Sequence, residues 1–256
     1  MIKHDQHFLI DQNVVNLAIS ASKITKNDIV LEVGPGKGVL TNSILMEKPL
    51  KLISVEIDEN FKIFLKKIKS KYDNFEYIFA NIFDVIDNIE CTKLVANIPY
   101  SITEPLYQKI IEKKIEHVVL LEGYSFYDKI SKNYSKWSYI LNAMYNIKLI
   151  EKVRGYKFMP KTKVDSALVC LTIKNDFNQM DKFILSIFEK KNRNVKNSIM
   201  YSFCDAFSYT KKEALLLYQE LGLQKDIETL KFKNLSNKDF KLIISKLEKN
   251  LENNLK

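Results

Sequence analysis

The stretch Ile29-Val30-Leu31-Glu32-Val33-Gly34-Pro35-Gly36-Lys37-Gly38-Val39-Leu40 decides the fold. Its first five residues read as a buried strand, and Val39–Leu45 (VLTNSIL) returns apolar groups at helical spacing. Between them fall three of the six glycines in the chain. Where glycine is this scarce, such clustering serves a local backbone purpose. Strand, glycine loop and helix open a nucleotide-binding βαβ unit.

The loop narrows the ligand. The dinucleotide fingerprint G-x-G-x-x-G fails because Val39 stands at the third glycine position, and no Gly-Lys-Ser/Thr follows to make a phosphate-binding loop. What remains is E-x-G-x-G-x-G, from Glu32 to Gly38, which suits close backbone approach by a ligand without a pyrophosphate. S-adenosylmethionine is such a ligand. Lys51–Ile57 (KLISVEI) reads as a second strand, placing Glu56 eighteen residues beyond Gly38. A carboxylate there can accept both hydroxyls of a ribose, as in dinucleotide folds. The plainer reading of Glu56 and Asp58 is negative charge at the start of a helix over 60–69.

Further apolar runs at Phe75–Phe79, Lys93–Ala96 and His117–Leu121 alternate with helical patterns over 59–70 and 103–113. This predicts a doubly wound α/β sheet with a parallel core, whose ligands sit at the carboxyl ends of the strands. Gly34, Glu56, Asn81 and Asn97 each follow or close a predicted strand and are expected to converge.

Composition agrees with a packed, basic enzyme. The 256 residues are 46% hydrophobic, and no apolar run approaches the roughly 20 residues of a membrane-spanning helix. The first ten residues lack a signal-peptide pattern, so a cytoplasmic protein is expected. Lys+Arg total 40 against 31 Asp+Glu, a net charge of +9, as expected of a protein that meets polyanions; Arg154 and Arg193 are the only arginines. Cys91, Cys170 and Cys204 form no CxxC pair, which argues against a zinc site or disulfide framework. His4 and His117 have no partner motif and read as surface or strand-edge residues.

The second motif, Asn97-Ile98-Pro99-Tyr100, follows the fourth predicted strand. Proline restricts its own backbone and that of the residue before it, holding an amide and an aromatic ring in fixed relation. The combination suits an exocyclic amine on a planar base. The N6 lone pair of adenine is delocalised into the ring; the Asn97 oxygen and the Ile98 carbonyl could accept its two hydrogens and favour a more pyramidal nitrogen. Tyr100 would stack on the base, and in-line placement against a sulfonium methyl would supply much of the rate. This chemistry requires no metal. The plainer reading is a tight turn with a buried tyrosine.

With these residues the sequence resembles the ribosomal RNA adenine N6,N6-dimethyltransferases, which include the KsgA-type housekeeping enzymes and the Erm resistance enzymes. Gln6-His7-Phe8-Leu9 with Asp11 is similar to the family's N-terminal cofactor-covering segment, Glu32–Gly38 to its S-adenosylmethionine loop, Glu56 to its ribose acid and Asn97–Tyr100 to its catalytic tetrapeptide. Phe158-Met159-Pro160 with Lys163-Val164-Asp165-Ser166 resembles the family's F-x-P-x-P-x-V-x-S segment, which implies that Phe158 forms the second wall of an adenine sandwich. Phe188–Ile199, Asn234-Leu235-Ser236 and Asp239-Phe240 also fit.

The resemblance implies cofactor contacts by His7, Leu9, Glu32, Gly34, Gly36, Gly38, Glu56, Asn81 and Asn97, and catalysis by Asn97, Ile98, Pro99, Tyr100 and Phe158. The sequence departs from the family at Asp5, at Asn81 (which stands where an acid reads the cofactor adenine), at Thr162, at Gly123-Tyr124-Ser125-Phe126 and at Tyr134–Ser138.

From about Asp181 the pattern is helical throughout, and residues 181–256 carry 15 Lys+Arg and 10 Asp+Glu. A catalytic domain over 1–176 and a small, basic, all-helical domain over 177–256 are expected. Lys190, Lys191, Arg193 and Lys196 place four cations in seven residues, read either as RNA phosphate contacts or as a solvated helix face. The expected activity is S-adenosylmethionine-dependent dimethylation of adenine N6 in ribosomal RNA, at two adjacent adenines near the 3′ end of small-subunit RNA, by a monomer acting on RNA or a pre-ribosomal particle. The alternatives are an Erm-type large-subunit enzyme, a catalytically weak RNA-binding assembly factor and, weakest, a DNA adenine methyltransferase.

Overall fold

The computed structural model describes residues 7–132 and 135–254. His4, Asp5, Gln6 and Tyr134 lie outside the described residues. The strands are β1 (Phe8–Leu9), β2 (Ile29–Val33), β3 (Lys51–Glu56), β4 (Phe75–Phe79), β5 (Lys93–Asn97), β6 (His117–Gly123), β7 (Tyr145–Val153), β8 (Phe158–Met159) and β9 (Ser166–Ile173). The helices of the sheet region are α1 (Gln12–Ser22), α2 (Val39–Met46), α3 (Lys62–Lys69), α4 (Ile82–Val85), α5 (Thr103–Lys113) and α6 (Tyr124–Ser131). Then come α7 (Lys136–Met144), α8 (Gln179–Glu189), α9 (Val195–Phe207), α10 (Lys211–Glu220), α11 (Lys225–Thr229) and α12 (Asn237–Asn254).

The main sheet runs β4-β3-β2-β5-β6-β9-β7. The pairs from β4 through β6 are parallel, while β9 runs antiparallel to β6 from His117↔Thr172 to Gly123↔Ser166. The near-continuous apolar runs read from the sequence are explained by burial on both faces, as parallel strands flanked by helices require. Val30, Leu52, Val95, Val119 and Leu168 share one core with Val14, Ile44 and Leu65 from the helices. Strand order reverses between β2 and β5, so a crevice opens beyond their carboxyl ends. His117 opens β6, at the strand edge, but it is not a surface residue: it is buried, with Nε2 2.8 Å from the Ala21 carbonyl.

The chain divides into two compact units. The sheet unit runs through Asp128 and resumes over Asn146–Ile173; the helical unit takes Lys129–Tyr145 and Lys174 onward. The helical unit therefore includes residues 129–145, which a contiguous division at 176 would leave with the sheet. Aromatic contacts explain their membership: Trp137 lies 6.1 Å from Phe188 and Tyr139 5.6 Å from Phe240, centroid to centroid. Capping boxes at Asn178/Asp181 and Thr210/Glu213 start α8 and α10, satisfying helix N–H groups that would otherwise lack partners. Phe183, Phe203, Phe232 and Phe240 fill the interior of this unit. No helix among the described residues is long and apolar enough to cross a membrane.

Candidate active site

A cavity of about 400 Å³ opens where the strand order reverses, and Gly34, Glu56, Asn81 and Asn97 all line it. The four residues expected to converge do so. The glycine loop explains its own composition. Gly36 has φ +53°, and a Cβ there would sit 2.9 Å from the Phe8 ring. Gly34 has φ +70° but open space in front of it, the nearest atom being the Asn97 carbonyl oxygen at 3.9 Å. A ligand can therefore approach its backbone.

The loop and the carboxylate of Glu56 are tied together. Gly36 N–H donates to Glu56 Oε2 at 3.0 Å, and Asp58 N–H donates to Oε1 at 2.9 Å. Burial raises the Glu56 carboxyl above its ordinary range, opposed by these backbone bonds. The backbone N–H groups of Gly36, Asp58 and Ile57 use part of the carboxylate's lone-pair capacity, and the two oxygens could still accept from a vicinal diol. Glu32 accepts from Ser54 Oγ at 2.6 Å and Thr41 Oγ1 at 2.8 Å; burial pushes it up to about 7. Asn81 caps α4, its oxygen accepting from Phe83 N–H at 3.1 Å, which turns its amide nitrogen into the available donor.

Asn97 ends β5 and its Nδ2 donates to the His7 carbonyl at 3.1 Å. Only the NH2 half of an amide can face a carbonyl, so this bond fixes which way the side chain is turned and reserves its oxygen as an acceptor. His7 is held in turn by its Nδ1, which donates to the Pro160 carbonyl at 2.9 Å. Ile98 is buried, with its N–H bonded to the Leu121 carbonyl at 3.1 Å, and Pro99 leads into a short 3₁₀ turn over Tyr100–Ile102.

Tyr100 lines the cavity with its hydroxyl 2.6 Å from Ser166 Oγ. A Cβ on Gly123 would lie 3.3 Å from the ring's Cγ, so the ring rests directly on the backbone of β6. Phe158 enters the same cavity from β8, which pairs with β1 through Leu9↔Phe158 and Phe8↔Met159.

Several expected contacts fall elsewhere. Gly38 is not among the cavity-lining residues: it starts α2 at φ +82°, and a Cβ there would meet Ile68 at 2.3 Å. Its glycine serves the turn and the packing of α3. Leu9 and Glu32 line a smaller adjoining cavity of about 40 Å³ with Lys37 and Asn97.

In the helical unit, Lys190 is bonded to the Asp205 carboxylate and, at 2.8 Å, to Ser186 Oγ. Lys191, Arg193 and Lys196 lie over the rings of Phe188, Tyr201 and Tyr218 at 4.4, 4.7 and 5.9 Å. Gly123 and Ser166 received no role from the sequence. The available signals were the place of Ser166 at the end of the segment that resembles the family's and the scarcity of glycine, which makes Gly123, isolated at the end of an apolar run, worth explaining.

Residues 2–238 match the family model described as ribosomal RNA adenine dimethylase. A probable ribosomal RNA small subunit methyltransferase A of Methanococcus aeolicus is 36% identical over 213 residues, 78% of this chain and 78% of that protein. The ribosomal RNA small subunit methyltransferase A of Thermotoga maritima is 33% identical over 202 residues, 76% of this chain and 72% of that protein. In fold, the chain is similar to a dimethyladenosine transferase from Plasmodium falciparum (TM-score 0.63, 24% identity, 95% of this chain and 98% of that one). It is likewise similar to the 23S rRNA methyltransferase ErmE (TM-score 0.62, 20% identity, 94% and 99%). The glycine loop, the amide turned by His7 and this run of matches together place the chain in the ribosomal RNA adenine dimethylase family.

Proposed function

We propose that this protein transfers two methyl groups from S-adenosylmethionine to N6 of each of two adjacent adenines near the 3′ end of small-subunit ribosomal RNA, acting as a monomer on that RNA or on a pre-ribosomal small-subunit particle. The observation that carries the reading is the Asn97–His7 bond, which leaves the amide oxygen as an acceptor at the wall of a cavity that Tyr100 and Phe158 also line. The small-subunit target is supported by the two relatives named above.

Glu56 would hold the ribose of the cofactor, Gly34 and Gly36 would admit it against their backbone, and Asn81 would donate to its adenine. When bound, the cofactor supplies an electrophilic methyl on a sulfonium. The protein's own part is positional. Asn97 Oδ1 and the Ile98 carbonyl accept the two hydrogens of the substrate amine, drawing its lone pair out of conjugation. Tyr100 and Phe158 clamp the base, which must leave its stack to enter. Fixing both reactants in line converts an encounter into a unimolecular step. Each transfer would break the sulfonium–methyl bond, leaving a neutral thioether, and release one amine proton to water; one hydrogen then remains after the first, so the second methylation relies on one acceptor and on the ring clamp.

The test is incorporation of labelled methyl into undermethylated small-subunit particles, with the modified nucleosides mapped by mass spectrometry and primer-extension stops. Dimethyladenosine at adjacent adenines near the 3′ end is expected. Dimethyladenosine confined to large-subunit RNA, or cofactor binding without incorporation, overturns the proposal.

A further inference from the structure

The loop that delivers Phe158 to the cavity also carries exposed side chains. The loop is rigid by construction. Thr162 N–H donates to the Gly155 carbonyl at 3.2 Å, and Val164 N–H donates to Thr162 Oγ1 at 3.0 Å. A Cβ on Gly155 would fall 2.1 Å from the Thr162 carbonyl oxygen, so only glycine lets the loop close this tightly. Ile10 N–H, just beyond β1, bonds the Lys157 carbonyl at 3.0 Å, anchoring the loop to the strand that also carries Phe8.

On this fixed frame Phe158 is buried, whereas Tyr156 is 63% exposed, Met159 57% and Val164 54%. An exposed tyrosine with apolar neighbours could serve any partner; the charges discriminate. Lys152 and Arg154 are paired with Asp165, and Lys157 with Glu151 and Asp11. Lys161 and Lys163 are exposed and have no ion pair among the described residues. The exposed side chains of this one closed loop thus include a flat aromatic surface and two cations whose charge is not cancelled. Stacking surface plus uncancelled lysines is the recognition chemistry of single-stranded nucleic acid.

We infer that the loop Gly155–Val164 is a docking platform for the RNA strand flanking the target adenine, with Tyr156 stacking on a neighbouring base and Lys161 and Lys163 meeting its phosphates. This rests on the adenine-methylating role proposed above, because the inner residue of the same loop is a wall of the adenine cavity. Tyr156 precedes Phe158 by two residues on the same closed loop, so a nucleotide adjoining a base held against Phe158 would pass within reach of this loop. Contacts to flanking nucleotides are what selects a target among otherwise identical bases.

The experiment measures binding of a fluorescent short single-stranded RNA by anisotropy, and methyl transfer to small-subunit particles in parallel, for the wild type, Tyr156→Ala, Tyr156→Trp and Lys161→Gln/Lys163→Gln. Tyr156→Ala should weaken RNA binding about tenfold and raise KM with kcat little changed, while Tyr156→Trp restores both. The double lysine variant should reduce the slope of log affinity against log salt by about 1.4. Cofactor affinity and Tm should match the wild type in every variant, since these side chains lie on the surface. Wild-type RNA affinity in Tyr156→Ala overturns the platform, as does failure of the wild type to bind RNA. A wild type that binds in a Tyr156-dependent way yet transfers no methyl sustains the platform and overturns only the reaction.

Discussion

The hydroxyl of Tyr100 lies 2.6 Å from Oγ of Ser166, and Ser166 is the register partner of Gly123, the residue on which the Tyr100 ring rests. One rung of the β6–β9 ladder therefore holds the ring at both its tip and its face. Ser166→Ala and Tyr100→Phe each delete the same hydrogen bond. Each should lower kcat about fivefold, and the double variant should cost no more than either alone. Gly123→Val forces the ring aside and should cost about a hundredfold in kcat with cofactor affinity retained. Additive losses from Ser166→Ala and Tyr100→Phe would show that the bond does not act as a unit.

Asn97→Ala removes the acceptor and should reduce methyl transfer by roughly a thousandfold, in line with the loss of one preorganised transition-state contact. Cofactor binding measured by calorimetry should survive. Asn97→Asp is the sharper variant: it keeps an acceptor but cannot donate to the His7 carbonyl, so the N-terminal strand should loosen, visible as faster amide exchange around Phe8 and Leu9.

Gly36→Val adds bulk where a single Cβ already approaches Phe8 at 2.9 Å, at a positive φ that valine resists. Equilibrium dialysis should show S-adenosylmethionine affinity reduced by about a hundredfold or more. Gly38→Ala should instead lower Tm, because the obstacle there is Ile68 rather than the cavity.

Two buried acids make stability depend on pH in an unusual direction. Burial pushes Glu32 up to about 7 and Glu122 up to about 8, from an ordinary value of 4.5, the latter opposed by the Tyr107 hydroxyl. The native state then holds protons that the unfolded chain has already released. These contributions are complete below pH 4.5 and are lost as pH rises through about 7 and about 8. Within that window each group removes on the order of 1.4 kcal/mol per pH unit. Urea midpoints should fall between pH 6 and pH 8, and Glu122→Gln should flatten the decline. A rising midpoint would contradict it.

The parallel strands and the glycine loop were legible because their signals are local: apolar runs bounded by turns, and three glycines in five residues. Gly34, Glu56, Asn81 and Asn97 converge because strand ends converge in any doubly wound sheet. What escaped the reading is non-local or too short to have a period. β1 and β8 are two residues each and pair across some 150 positions, so no window contains both. The membership of 129–145 in the helical unit depends on Trp137 and Tyr139 meeting Phe188 and Phe240, and the Gly123–Tyr100 contact on a turn between neighbouring strands. Lys190 read as a free cation because Asp205, which claims it, lies a full helix away in sequence.

The Asn97–His7 bond has a practical side. The amide's orientation is set by His7, which precedes β1, whereas the residues of the hydrophobic core cluster run from Leu9 onward. Clipping by a contaminating protease ahead of Leu9 would leave circular dichroism and melting curves nearly unchanged while silencing the reaction. Intact mass, rather than thermal quality, is the measure of whether a preparation can work.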